Sequence, residues 1–79
     1  RHLMKIQIQT PLGTFTSTDM AETRRSEAHD ALMEGLAGVA SVHFNNDVGH
    51  RVYFGRDLMK RSVATLIPTP GQQANNSKD

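Results

Sequence analysis

Met4-Lys5-Ile6-Gln7-Ile8-Gln9 alternates apolar and polar side chains without a break, and Thr10 follows. A period of two puts Met4, Ile6 and Ile8 on one face and Lys5, Gln7 and Gln9 on the other, which is the signature of a half-buried strand. Pro11-Leu12-Gly13 follows as a turn: proline presets φ at the first turn position, and glycine reaches positive φ. Thr14-Phe15-Thr16 then reads as a second strand with Phe15 inward. The chain therefore opens on a β-hairpin, and a hairpin with one wet face requires a helix or a further sheet on the other.

Working outward, Ser17-Thr18-Asp19 offers three consecutive N-cap residue types, and Asp19 with Glu22 has the spacing of a capping box. A helix is predicted from Met20 to about Leu36, with Ala21, Arg25, Ala28, Leu32 and Leu36 along its inner stripe and Glu27, Asp30 and Glu34 facing away. Gly35 in the last turn costs about 1 kcal/mol against alanine and predicts fraying. Gly38 is the expected terminator, in a left-handed C-cap. Val39 to Phe44 alternates again, with Ala40, Val42 and Phe44 inward. Asn45-Asn46-Asp47-Val48-Gly49 is dense in turn formers. Arg51-Val52-Tyr53-Phe54 returns as the partner strand, Val52 and Phe54 matching Val42 and Phe44. Arg56 to Arg61 is too short for an independent helix and reads as a single turn that tucks Leu58 or Met59 under the sheet. Ser62 to Ile67 is a last strand, stopped by Pro68.

The expected fold class is α+β: an antiparallel sheet of four to five strands with one helix on one face, in the order β-β-α-β-β-β. The single domain spans residues 4–68. Residues 1–3 precede Met4, read as a cloning remnant and are set aside. Residues 69–79 carry one alanine as their only apolar side chain, too little burial to offset the ordering entropy, and are expected to be a disordered tail. The expected core is Ile6, Ile8, Phe15, Ala28, Leu32, Val42, Phe44, Val52, Phe54 and Leu66.

Composition narrows function more than it names it. The chain has 79 residues, 37% of them apolar, and a net charge of +1. That is too small for a two-lobed enzyme, and the balance is neither strongly basic nor strongly acidic. The absence of cysteine excludes disulfides, a thiolate metal site and a thiol nucleophile, and favours a reducing compartment or an oligomer that supplies the missing core. No run approaches a membrane span of about 20 apolar residues. The expectation is a cytoplasmic protein, in host cytoplasm if viral, with no membrane partner.

Sites of chemistry are sparse. The histidines are His2, His29, His43 and His50; only His43 and His50, which flank the second turn and read as cross-strand neighbours, come close together, with Asp47 as a third ligand, short of a convincing zinc site. The Asn45–Gly49 turn lacks the glutamate that closes a calcium loop. Glu27 with Asp30, and Asp30 with Glu34, lie on a solvated helix face rather than in the buried setting that acid–base catalysis needs. No phosphate loop or nucleophile elbow is present. No catalytic residue, metal or cofactor is expected, and one helix on one sheet is expected to enclose no ligand pocket of about 300 Å³.

One asymmetry remains. Asp19 to Glu34 holds five acids and two arginines, whereas His50 to Arg61 holds Arg51, Arg56, Lys60 and Arg61 against Asp57. With Tyr53 beside Arg51, this basic segment has the minimal composition of a nucleic-acid footprint. It suits better an ordinary solubilising edge strand that resists aggregation. Arg51, Tyr53, Arg56, Lys60 and Arg61 are the candidate partner-binding residues.

Val52-Tyr53-Phe54-Gly55-Arg56-Asp57-Leu58-Met59-Lys60-Arg61-Ser62-Val63 resembles the C-terminal half of short α+β accessory proteins encoded by phages and prophages. In these a strand, an acid-Leu-x-Lys-x-Ser turn and a last strand recur. The hairpin and helix from Met4 to Leu36 are compatible with that pattern. The motif is structural, so the resemblance implies no catalytic residues. It implies a viral accessory protein that binds a host factor, a nucleic acid or itself. The function expected from sequence is a small non-catalytic interaction module with a protein partner. It is expected to be homo-oligomeric, most simply a dimer, because a core this small has no disulfide or metal to support it. The alternative is a nucleic-acid-binding protein using residues 50–61.

Overall fold

The computed structural model describes residues 2–69. It is α+β and antiparallel throughout. β1 (Leu3–Thr10) and β2 (Gly13–Thr16) form the opening hairpin, with Ile8 opposite Phe15. β3 (Met20–Ala21) pairs with the start of β1, and a 3₁₀ turn (Glu22–Arg24) leads into α1 (Arg25–Leu36). β4 (Val42–Asn45) and β5 (Arg51–Phe54) make a second hairpin. α2 (Arg56–Met59) is a single turn, and β6 (Val63–Pro68) returns along the other side of β1. β1, β2, β3 and β6 thus form one four-stranded sheet, while β4 and β5 form a separate pair.

The expected single sheet divides because β2 turns away from β1 at Ser17. The Ser17 amide still donates to the Ile6 carbonyl at 2.8 Å, but the residue also bridges to Asn46, and the Thr18 amide donates to the Asn45 carbonyl at 2.9 Å. Ser17 is fully buried, and its Oγ accepts the Ile6 amide at 2.8 Å while donating to the Thr18 carbonyl at 2.9 Å. The side chain thus replaces a missing ladder bond where the strand changes partners. Ser17→Ala should leave the Ile6 N–H unpaired in the core and cost about 1–3 kcal/mol. Urea melts of the two proteins measure it; an unchanged midpoint would show that the Ile6 amide finds another acceptor.

Ser17, Thr18 and Asp19 therefore do not cap a helix, contrary to expectation. Met20 and Ala21 are drawn into strand pairing with Met4 and Leu3, and α1 begins five residues late with no side-chain cap. The Asp19 carboxylate instead accepts the Thr69 hydroxyl at 2.8 Å. Long-range ladder bonds have overridden a local signal here. Glu22 pairs with Arg25 at 2.7 Å, and that hydrogen bond from the guanidinium holds its carboxyl below the ordinary carboxylate range.

At its other end α1 stays helical through Gly35 to Leu36. Gly38 takes φ +76°; its amide donates to the Gly35 carbonyl at 2.9 Å and the Val39 amide to the Glu34 carbonyl at 3.0 Å, the paired bonds of a Schellman motif. Gly35 is buried, and a Cβ there would collide with Val42 Cγ2 and press on Met59 Cε at 3.3 Å. The glycine lets α1 lie directly on β4 and α2. Gly35→Ala should lose stability despite its helix-propensity gain of about 1 kcal/mol, because a β-branched neighbour has few rotamers with which to yield. A thermal melt at or above the parent's would contradict this.

The core lies between the sheets and α1. Met4, Ile6, Ile8, Leu32, Val42, Phe44, Phe54 and Met59 are buried, and Phe15, Ala28, Val52 and Leu66 pack against them half-buried. All ten expected core residues are in this cluster. Of the two alternatives in the short turn, Met59 is the fully buried one. Val39 and Ala40 belong to the bend before β4 rather than to the strand. Leu3, set aside with residues 1–3, is part of β1 and pairs with Ala21. Thr69, expected in the tail, donates its amide to the Leu3 carbonyl at 3.0 Å. The rest of the expected tail, residues 70–79, lies outside the described residues.

Candidate functional site

The register of the second hairpin sets a compact polar cluster on its outer face. Val42 lies opposite Phe54 and Phe44 opposite Val52; the alternate pairs are His43 with Tyr53 and Asn45 with Arg51. Since Val42, Phe44 and Phe54 point into the core, the strand period sends His43, Asn45, Arg51 and Tyr53 outward. The His43 and Tyr53 rings lie 5.7 Å apart at 44°. Arg51 donates through Nε to Asn45 Oδ1 at 3.2 Å and through Nη1 towards His43 Nδ1 at 3.4 Å. A guanidinium has no acceptor, so the histidine nitrogen accepts here. Tyr53 is 72% exposed, an unusual setting for the chain's one tyrosine.

Beside this cluster an open groove of about 410 Å³ runs between α1 and β4. Its floor is apolar, from Ile6, Met20, Ala28, Ala31 and Phe44, and its rim carries Asp19, Arg24, Glu27, His43 and Arg51. Such a space was not expected. It lies beside the Ser17–Asn46 bridge and the Thr18–Asn45 bond that link the two sheets, with Ala28 and Ala31 of α1 along its other side. Arg24 is held by Glu27 at 3.0 Å, so the rim mixes both signs. Arg51 and His43 belong to the groove and to the hairpin face, which makes the two one surface.

The predicted site residues divide. Arg51 and Tyr53 share the outer face of β5, whereas Arg56, Lys60 and Arg61 come after its far end, all exposed. The Lys60 stem lies over Gly38, within 2.9 Å of where a Cβ would stand, so this cation sits at the C-terminal end of α1, where the helix dipole favours it. His43, Asn45 and the α1 side of the groove are not among the partner-binding residues expected from sequence, where His43 figures only as a metal-ligand candidate. His43 was legible in principle: the inward Val42–Phe44 pattern and the Val52–Phe54 match already place it opposite Tyr53. His50 lies outside β5, its amide on Asn46 Oδ1 at 2.9 Å, and is not the cross-strand neighbour of His43. Among the described residues no three histidine or acidic side chains converge to hold a metal. None of their helices is long and apolar enough to cross a membrane.

No family model, curated protein or solved structure matches this chain.

Proposed function

We propose that this chain is a small non-catalytic binding module that engages a protein partner through the β4–β5 outer face and the adjoining groove, working as a symmetric dimer. The observation that carries the reading is the exposed Tyr53 ring beside an Arg51 already held by Asn45 and His43. Tyrosine and arginine are the side chains that most often anchor protein interfaces. A side chain fixed before binding loses less entropy on binding. The apolar groove floor supplies a place for one inserted aliphatic or aromatic side chain, with mixed charge at the rim. In the setting that the phage resemblance implies, the partner is a host factor met in the cytoplasm. A phosphate backbone suits this surface less well, since Asp19 and Glu27 line the groove next to Arg51. The second group of cations, Arg56, Lys60 and Arg61, then steers association rather than reading a nucleic acid.

The test compares the parent with Tyr53→Ala and Ala31→Arg, both at exposed positions. Affinity capture from the native host with mass spectrometry should enrich one protein with the parent. Purified, that protein should bind at least about tenfold more weakly to Tyr53→Ala, the effect of losing one anchor worth about 1.4 kcal/mol. Ala31→Arg, which fills the groove, should weaken it as well. Micromolar binding of a mixed oligonucleotide at about 150 mM salt would replace this reading with nucleic-acid recognition. A captured protein indifferent to both substitutions would place the contact elsewhere.

A further inference from the structure

We infer that the free edge of β6 is the self-association surface, and that it pairs antiparallel with β6 of a second copy about a two-fold axis at Thr65. This rests on the proposed dimeric state and names its interface.

The direction of every backbone group on β6 follows from β1. Ile6 exchanges its amide and carbonyl bonds with Ser17, so Met4, Ile6 and Ile8 turn their backbone towards β2 and β3. Leu3, Lys5, Gln7 and Gln9 then turn theirs towards β6, as the Thr69 amide on the Leu3 carbonyl confirms. Opposite them Val63, Thr65 and Ile67 are engaged with β1. Ala64 and Leu66 face the other way, and among the described residues no strand meets them. Pro68 shares that outward phase and has no N–H to leave unpaired.

The other edges are less suited. β2 and β5 are four residues long, β5 carries Arg51, and β4 is tied to Thr18. β6 has six residues, Val63-Ala64-Thr65-Leu66-Ile67-Pro68, with no charged side chain to guard its edge and a single proline at its end. Val63 is 59% exposed on its outer face.

Register follows from satisfying the outward groups. With Thr65 on the axis, Ala64 of each copy faces Leu66 of the other, and all four amides and four carbonyls pair. Centring on Leu66 sets Ala64 against Pro68, which cannot donate, and orphans the Ala64 carbonyl. Centring on Ala64 sets Leu66 against Ser62, whose amide already donates to the Met59 carbonyl at 3.1 Å. The Thr65 register also lays each Val63 against Ile67 of the second copy and covers the exposed valine. No charged side chain falls within the paired stretch.

The full chain tests this directly. Because it lacks cysteine, Thr65→Cys introduces one thiol, and the thiol meets its own copy at a non-hydrogen-bonded pair. Cα atoms there stand about 4.5 Å apart, within disulfide range. Mild oxidation should give a covalent dimer, whereas Thr14→Cys on β2 should not. Thr65→Lys sets two ammonium groups together at the axis and should weaken self-association by roughly a hundredfold in sedimentation, with the monomer's circular dichroism unchanged. A dimer that survives Thr65→Lys and does not crosslink through Thr65→Cys would refute the edge while leaving dimerisation standing. A strict monomer at about 100 µM, where a specific interface should be populated, would refute both. Hydrogen-exchange protection of the Ala64 and Leu66 amides in such a monomer would show that the chain covers its own edge.

Discussion

Replacing Phe54 by alanine should remove about 3–5 kcal/mol, the cost of deleting a buried aromatic ring and leaving its cavity. Phe54 is 1% exposed. Its ring meets Phe15 edge-on, centroids 5.4 Å apart at 83°, and Phe44 at 5.3 Å and 53°. Phe44 lies beside it in the small hairpin, but Phe15 belongs to the four-stranded sheet, so this ring joins the two sheets across the core. Each aromatic pair contributes about 0.5–1.5 kcal/mol beyond its area. A domain this small has only about 5–10 kcal/mol in total, so the variant should be largely unfolded well below the parent's melting temperature. Urea titration followed by circular dichroism measures it. A midpoint close to the parent's, with the same slope, would mean that the two sheets do not depend on this ring.

Met59→Ala should cost about 2–5 kcal/mol, whereas Leu58→Ala next to it should cost clearly less. Met59 is fully buried and Leu58 only half-buried. α2 is one turn long, below the length at which a helix stands without tertiary support. Its anchor is the methionine side chain, whose methyl reaches the space over Gly35. An unbranched thioether adapts to such a narrow slot more readily than a branched leucine. The same turn sets the start of β6 through the Ser62 amide on the Met59 carbonyl and Ser62 Oγ on the Leu58 carbonyl at 2.8 Å. Losing the anchor should therefore also loosen β6, visible as faster amide exchange at Thr65 and Ile67 than at Ile6. Equal losses for the two variants would show that the turn, not the methionine, holds α2.

The proposed surface shows how local pattern and tertiary arrangement divided the work. The alternation of Val42-His43-Phe44 and of Val52-Tyr53-Phe54 sufficed to pair His43 with Tyr53. Nothing local could show that a groove lies beside them. The groove is a gap between elements, and its residues come from Ile6 to Arg51 in sequence.

The amino-acid sequence by itself determined the parts governed by short periods: β1 and its hairpin, the inward faces of β4 and β5, the Gly38 stop of α1, and the ten core side chains. In these a residue's nearest neighbours impose a period of two or 3.6 or a positive φ, and no distant segment competes. Only the tertiary structure decided the rest. Met20 and Ala21 became strand because Leu3 and Met4 offered unsatisfied backbone groups. Ser17 left its capping pattern to replace a ladder bond, Gly35 exchanged helix propensity for contact with β4 and α2, and Met59 rather than Leu58 found the slot. Each outcome depends on hydrogen-bond partners or space supplied by residues far away in sequence, and burial makes such demands stronger than local preferences of a few tenths of a kcal/mol to about 1 kcal/mol per residue.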